Sequence, residues 1–492
     1  MLLVFRRALV AALTLPALAM MSAPPSSASA LATAAFTQLA PTRVVDTRIG
    51  LGATKGPLAN ATRVRVPLRE LHGIAASATA VALNVTIVNA TQPGFVSLWG
   101  GPADSLPTVS TVNAARAGQT VANMAVITLS EDGTANLFTN AGGDILIDVA
   151  GFWSPATSAK AGRYNAIKPV RALDTRDTDR LAAGGTATVK VVGIAGIPAD
   201  ASAVVITVTA TQAEGAGYVT AYPSGIAVPD TSTLNVPATG ATVPNQAIVP
   251  IGADGTISLY STMATDLIVD AAGWFSGAAS DASADGLFVP ISAVRLADSR
   301  LASDTPPLGA DLPEEIAVRG GDMPTTGVSA VALNVTLIAT LDDGFATISP
   351  SGASVPNTSN LNFHRGDTVA GASLARIGAN RTVTVTSSSS ADVIVDAVGY
   401  FTGDPAPNEH VHPTACRDLA IYVEFVSGPS DYYARLRDRT GRNPDVTVDS
   451  GFTSAELAPN CAYMLTTRLY GDGRRVVTRF SLTGRKMSSL PP

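Results

Sequence analysis

One phrase occurs three times in this chain: Arg43-Val44-Val45-Asp46-Thr47-Arg48, Arg171-Ala172-Leu173-Asp174-Thr175-Arg176 and Arg295-Leu296-Ala297-Asp298-Ser299-Arg300. The lead arginines stand at 43, 171 and 295, so the spacings are 128 and 124 residues, far longer than solenoid or propeller-blade periods. Each copy is long enough to build its own core. Two further segments recur in register. Ala80-Val81-Ala82-Leu83-Asn84-Val85-Thr86 matches Ala203-Val204-Val205-Ile206-Thr207-Val208-Thr209 and Ala330-Val331-Ala332-Leu333-Asn334-Val335-Thr336. Each copy closes on a shared pattern, Asp148-Val149-Ala150-Gly151-Phe152-Trp153, Asp270-Ala271-Ala272-Gly273-Trp274-Phe275 and Asp396-Ala397-Val398-Gly399-Tyr400-Phe401. Between them, Ser110 and Asn113 are echoed by Ser232 and Asn235 and by Ser359 and Asn362. The repeats therefore span residues 36–156, 163–277 and 287–403. Chemistry is seldom triplicated within one chain, whereas tandem binding modules turn weak contacts into avidity, so the expectation is a protein that is not an enzyme.

The repeats read as strands. Val64, Val66 and Leu68 alternate with Arg63, Arg65 and Pro67, and Val189 and Val191 flank Lys190. Charged residues make up only 15 % of the chain against 43 Gly and 32 Pro, a strand vocabulary with frequent turn punctuation. Asp132-Gly133, Asp254-Gly255 and Ala379-Asn380 read as hairpin turns between strand-like runs. About eight short strands per copy predict an all-β chain of three tandem antiparallel β-sandwiches, jelly-roll or immunoglobulin-like, with a small barrel as the alternative. The links are small and polar, as in Ser280-Asp281-Ala282-Ser283, and predict beads on a flexible string, with a packed pseudo-threefold cluster as the alternative.

The two ends differ from the repeats. Arg6 and Arg7, an apolar run from Ala8 to Met21 and Ala28-Ser29-Ala30 read as a signal peptide over residues 1–30. No later stretch approaches the length of a membrane helix, and the chain closes on Ser-Leu-Pro-Pro. A secreted mature chain is expected, without an integral membrane segment and held at a cell surface, if at all, noncovalently. Residues 414–492 form a separate small β domain holding the only cysteines, Cys416 and Cys461, expected to form one disulfide. Closing that loop stabilises by about 4 kcal/mol in the chain-entropy account. The net charge of −6 and the lack of a basic stripe argue against nucleic acid as a partner.

Among chemistry-bearing residues the closing carboxylates come first. Asp148, Asp270 and Asp396 interrupt apolar strands, where a bare carboxylate is costly. The repeated phrase supplies partners, so a structural polar network is expected of Arg43, Asp46 and Arg48 with Asp148, of Arg171, Asp174 and Arg176 with Asp270, and of Arg295, Asp298 and Arg300 with Asp396. The alternative is a catalytic or metal-binding carboxylate. Asn123 and Asn245 become Gly371 in the third copy, which suggests a left-handed turn position rather than a ligand contact. The four histidines are His72, His364, His410 and His412, and the second repeat has none. No catalytic set, metal site or cofactor is expected from them; His410 and His412 lack an evident third ligand. The paired carboxylates of a glycosidase, Asp46 with Asp148, would be an unusual thing to triplicate. The strand holding Phe95, Ser97 and Trp99 is matched by Tyr218, Thr220 and Tyr222, an aromatic face on which a sugar ring could stack. Phe345, Thr347 and Ser349 stand there in the third copy, and the alternative is burial of both faces.

Taken together, these motifs resemble a secreted repeat domain common in high-GC Gram-positive bacteria, over residues 36–403. That resemblance implies non-catalytic modules, standing alone in exported proteins or appended to cell-wall amidases and other secreted hydrolases, and it assigns no catalytic residue. The family often carries Trp-Pro where this chain has Trp99-Gly100, Tyr222-Pro223 and Ser349-Pro350. The expected function is binding of cell-wall glycan or a surface protein through repeated weak sites. The alternatives are an adhesive protein whose repeats are spacers for the C-terminal domain, and a secreted hydrolase.

Overall fold

A computed structural model describes residues 32–301 and 305–406, together with five strands of the C-terminal region. The first repeat consists of β1 (Ala34–Asp46), β2 (Thr62–Pro67), β3 (Ala80–Val88), β4 (Gly94–Trp99), β5 (Val112–Ala114), β6 (Val121–Thr128), β7 (Thr134–Thr139) and β8 (Asp144–Pro155). The second consists of β9 (Tyr164–Asp174), β10 (Thr186–Lys190), β11 (Ala203–Thr211), β12 (Gly217–Pro223), β13 (Leu234–Val236), β14 (Val243–Pro250), β15 (Thr256–Ser261) and β16 (Asp266–Phe275). The third consists of β17 (Phe288–Asp298), β18 (Pro313–Ala317), β19 (Val328–Ile338), β20 (Gly344–Pro350), β21 (Leu361–Phe363), β22 (Val369–Arg376), β23 (Thr382–Ser387) and β24 (Asp392–Thr402). No α-helix occurs among the described residues.

In each repeat the strands form two antiparallel layers of four, β1-β8-β3-β6 and β2-β7-β4-β5 in the first, and an antiparallel pairing of Ala34 with Phe288 joins the inner layers of the first and third repeats into one eight-stranded sheet. The same orders recur as β9-β16-β11-β14 with β10-β15-β12-β13, and as β17-β24-β19-β22 with β18-β23-β20-β21. This alternation between two sheets is jelly-roll order. It also changes the meaning of the Asp-Gly turns. Asp132 and Gly133 make a tight turn, with Asp132 Oδ1 accepting from Thr134 N at 3.2 Å and Gly133 at a φ of +78°. The strands on either side, β6 and β7, then enter opposite sheets. Asp254-Gly255 turns the chain from β14 into β15 in the same way. The expected hairpins are therefore corners, because an Asp-Gly pair fixes a local reversal and not the pairing of the strands it joins.

Strand alternation sends each inner sheet's residues to two destinations. From β3, Val81, Leu83, Val85 and Ile87 enter the core of their own sandwich, while Ala80 and Ala82 face the other two repeats. The second and third sandwiches have equivalent private cores. A fourth core is shared by all three. At its centre six aromatic side chains close a ring: Phe36, Trp153, Phe288, Phe401, Tyr164 and Phe275. Neighbouring centroids lie between 4.4 Å for Phe36 and Phe275 and 5.2 Å for Tyr164 and Phe275. Each repeat contributes one ring from its first strand and one from its last.

The expected string of beads is thus replaced by a packed pseudo-threefold body. The polar links do not hang free, because their backbone groups bond to it: Gly162 N–H donates to Ser276 O at 2.8 Å, Phe36 N–H to Gly162 O at 2.9 Å and Gly286 N–H to Thr402 O at 2.8 Å. Composition alone suggests flexible linkers, but backbone groups buried beside a sheet must find partners.

In the C-terminal region β25 (Ile421–Ser427), β26 (Tyr432–Asp438), β27 (Val446–Val448), β28 (Ala462–Arg468) and β29 (Arg475–Ser481) form one sheet in the order β27-β26-β25-β28-β29, with β25 and β28 parallel. Cys416, Cys461, His410 and His412 lie outside the described residues, as does the expected signal peptide.

Candidate functional site

The repeated charges meet across one row of each inner sheet. Arg43 on β1 stands directly opposite Asp148 on β8, and Asp148 opposite Asn84 on β3. Cross-strand partners share a face, so these side chains all point toward the neighbouring repeat. Arg43 grips Asp148 in a forked pair, Nε to Oδ1 at 2.7 Å and Nη2 to Oδ2 at 3.1 Å. Its Nη1 reaches Asp46 at 3.4 Å, and Asp46 in turn accepts from the backbone N–H of Arg48 at 3.0 Å and from its guanidinium at 2.9 and 2.6 Å. The second repeat repeats this with Arg171 Nε on Asp270 at 2.6 Å, the third with Arg295 on Asp396. Asp174 with Arg176 and Asp298 with Arg300 reproduce the short local fork.

Electrostatics separates the two kinds of carboxylate. Burial pushes Asp148, Asp270 and Asp396 up, against the pull of their arginines. Hydrogen bonds from Arg48 hold Asp46 below the ordinary carboxylate value, and those from Arg176 and Arg300 hold Asp174 and Asp298 down to about 2. Each of these carboxylates is paired with an arginine.

The same row forms the seams between repeats. Ser232 N–H of the second repeat donates to Asp148 at 3.4 Å; Arg171 Nη2 donates to Asn357 O of the third at 2.6 Å; Arg295 Nη2 donates to Thr108 O of the first at 3.0 Å. Asn84 and Asn334 donate to Ser232 O at 2.5 Å and Ser110 O at 2.8 Å. All three repeated motifs therefore converge on three equivalent seams.

Asn123 and Asn245 occupy strands β6 and β14, not turns, and neither has a positive φ. They are buried clamps between repeats. Asn245 Oδ1 accepts from Met124 N–H at 3.1 Å and its Nδ2 donates to Asn84 at 2.9 Å; Asn123 Oδ1 accepts from Ala372 N–H at 3.0 Å. At the third seam Gly371 has no side chain, and Gln246 of the second repeat accepts from Leu374 N–H at 2.6 Å. Sequence reasoning misses the clamping role of these amides and of Asn84 and Asn334; the signal that could reveal it is an amide in an apolar strand.

The aromatic face is distributed differently from the expectation. Trp99 is 8 % exposed and Tyr222 4 %. Trp99 Nε1 donates to Pro102 O at 3.1 Å, so the loop after β4 folds over the indole. The two outer rings of the expected platform are covered, while Phe95 and Tyr218 are half-buried. Phe345, their equivalent in the third repeat, is 43 % exposed.

Phe345 stands at the rim of a pit of about 450 Å³ where the starts of β6, β14 and β22 converge. Its wall includes Asn123, Asn245 and Gly371, one equivalent residue from each repeat. Arg116 and Asp367 face each other at 3.9 Å between the first and third repeats, and His364 Nδ1 lies 3.1 Å from Asp343.

No protein-family model and no curated protein matches the chain. Among solved structures, one described as the triple jelly roll fold and turret assembly in an archaeal virus is 9 % identical, over 77 % of this chain and 92 % of that one, with a TM-score of 0.14. At that score the jelly-roll order rests on this chain's own strand pairing.

Proposed function

We propose that this chain is an exported, non-catalytic protein of the cell surface or extracellular space that binds cell-wall glycan or another surface partner. Three jelly-roll repeats would form its binding body, followed by a C-terminal β domain closed by Cys416 and Cys461, after removal of residues 1–30. One observation carries the proposal. The charged residues that recur three times are engaged with one another and with the seams, and the pit at the junction of the repeats offers a ligand a concave surface of mixed polar and apolar side chains. Packing of the repeats favours one shared site over three independent weak ones. It also weighs against repeats serving as extended spacers, although a specific contact by the C-terminal domain would keep the adhesive alternative.

Sedimentation of the mature chain, residues 31–492, with purified cell walls tests this. Saturable retention that heat-unfolding the protein abolishes is the expected result. A folded protein that stays wholly in the supernatant overturns wall binding and points to a soluble partner.

A further inference from the structure

The pit is less symmetric than the body around it, and its departures from symmetry all open it to a ligand. In the first two repeats the recurring serine holds the recurring asparagine, Ser110 Oγ to Asn113 Oδ1 at 2.8 Å and Ser232 Oγ to Asn235 Oδ1 at 3.3 Å. In the third, Asn362 lines the pit and its Oδ1 makes no hydrogen bond. Gln246, only 2 % exposed, also lines the pit; its Oε1 is taken by Leu374, but its Nε2 has no partner. A buried amide donor or acceptor left without a partner is costly, and a ligand that supplies one relieves that cost. Gly371 cuts back the wall where the other repeats carry asparagine, and Phe345 offers an exposed ring face at the rim.

We propose that this pit binds a neutral saccharide, one or two rings of a glycan, a choice that rests on the glycan ligand suggested above. A sugar hydroxyl both donates and accepts, and so complements an open amide N–H and an open amide oxygen together. The C–H face of a pyranose is apolar and covers a phenyl ring. The volume falls within the roughly 300–1,000 Å³ typical of small-molecule sites. Charge disfavours an anionic ligand: Arg116 is balanced by Asp367, and Asp343 adds a further carboxylate beside His364.

Ligand-observed saturation-transfer NMR on the full mature chain tests the site, with N-acetylglucosamine, its β-1,4 disaccharide, mannose, galactose and arabinose as probes. The expected result is transfer to at least one sugar, lost by at least tenfold weaker binding in Phe345→Ala and in Asn362→Ala. Phe95→Ala, in the equivalent strand of the first repeat, should bind as the parent does. Phe345 is exposed, so its variant should keep the parent's melting temperature, and Asn362→Ala provides the second reading if it does not. Transfer to none of the probes overturns the site, as does transfer that survives both variants or is lost in Phe95→Ala alone. Wall retention without sugar binding would reject the pit and keep the surface partner; sugar binding without wall retention would do the reverse.

Discussion

Gly151, Gly273 and Gly399 precede the closing aromatic pair of each repeat, and the ring of the same repeat's first strand lies over each of them. A Cβ at Gly399 would sit 2.2 Å from Phe288 Cζ, and one at Gly273 2.4 Å from Tyr164 Cε2. Gly399→Ala should therefore displace a ring of the shared core and lower stability by about 1–3 kcal/mol or more, read as a fall in the urea midpoint. The closing carboxylates argue similarly. Asp148→Ala leaves Arg43, whose side chain is 11 % exposed, with only its longer 3.4 Å contact to Asp46, and should cost about 3–5 kcal/mol. Asp396→Ala should cost less, because Arg295 is 26 % exposed and can turn to water. An equal midpoint shift for the two would show that burial of the arginine does not set the cost. pH acts through the other carboxylates. Asp174 and Asp298 are depressed to about 2, so their stabilisation is complete above the unfolded value of about 3.9 and is lost as the pH falls through about 2. Asp148, Asp270 and Asp396, pushed up by burial, act in the opposite sense and oppose any loss above pH 4. Thermal melts should hold from neutrality to about pH 4 and then fall steeply; a steady decline beginning near pH 6 would contradict this assignment.

At the scale of strands, β6, β14 and β22 are the edges of their sheets, and an open edge is a row of unpaired donors. Here the neighbouring repeat covers it with side-chain amides, Asn245 over Met124 and Asn123 over Ala372. Asn245→Ala should speed hydrogen exchange at the Met124 amide by at least tenfold while leaving the amides of β3 protected; uniform acceleration would mean global destabilisation instead. This arrangement also explains what the sequence can and cannot reveal. The strands are readable from period-two alternation, and the closing Asp announces a need for a partner because charge in an apolar run is costly. The destination of the second face is not readable. Ala80, Ala82 and Asn84 look like a half-wet strand, since small residues suit a surface as well as a close contact between sheets. Asn123 and Asn245 mislead because the Asn-to-Gly exchange at position 371 mimics a left-handed turn, when its cause is a seam closed from the other side by Gln246. Trp99 misleads because alternation fixes a face but not the loop that folds over it, and Tyr222 is buried as well.

For the molecule as a whole, the deciding fact is that each repeat owns one core and shares another. Repeat 1 alone would expose Phe36, Trp153, Ala80 and Ala82, together with the edge of β6, all covered by the other repeats in the intact chain. An apolar patch joined to an unpaired strand edge favours association. Residues 34–156 expressed alone should therefore self-associate or aggregate, whereas the intact chain keeps those surfaces inside. The same logic sets the thermal behaviour. Trp153→Ala removes a buried ring that touches both Phe36 and Phe288, at a cost of about 3–5 kcal/mol. Because those contacts join the first and third repeats, the loss should be felt in both. Calorimetry of the intact chain should show the three repeats melting in one cooperative transition, and Trp153→Ala should lower that transition as a unit. Separate melting of the first repeat, with the others unchanged, would mean that the shared core contributes little and that each jelly roll stands on its own.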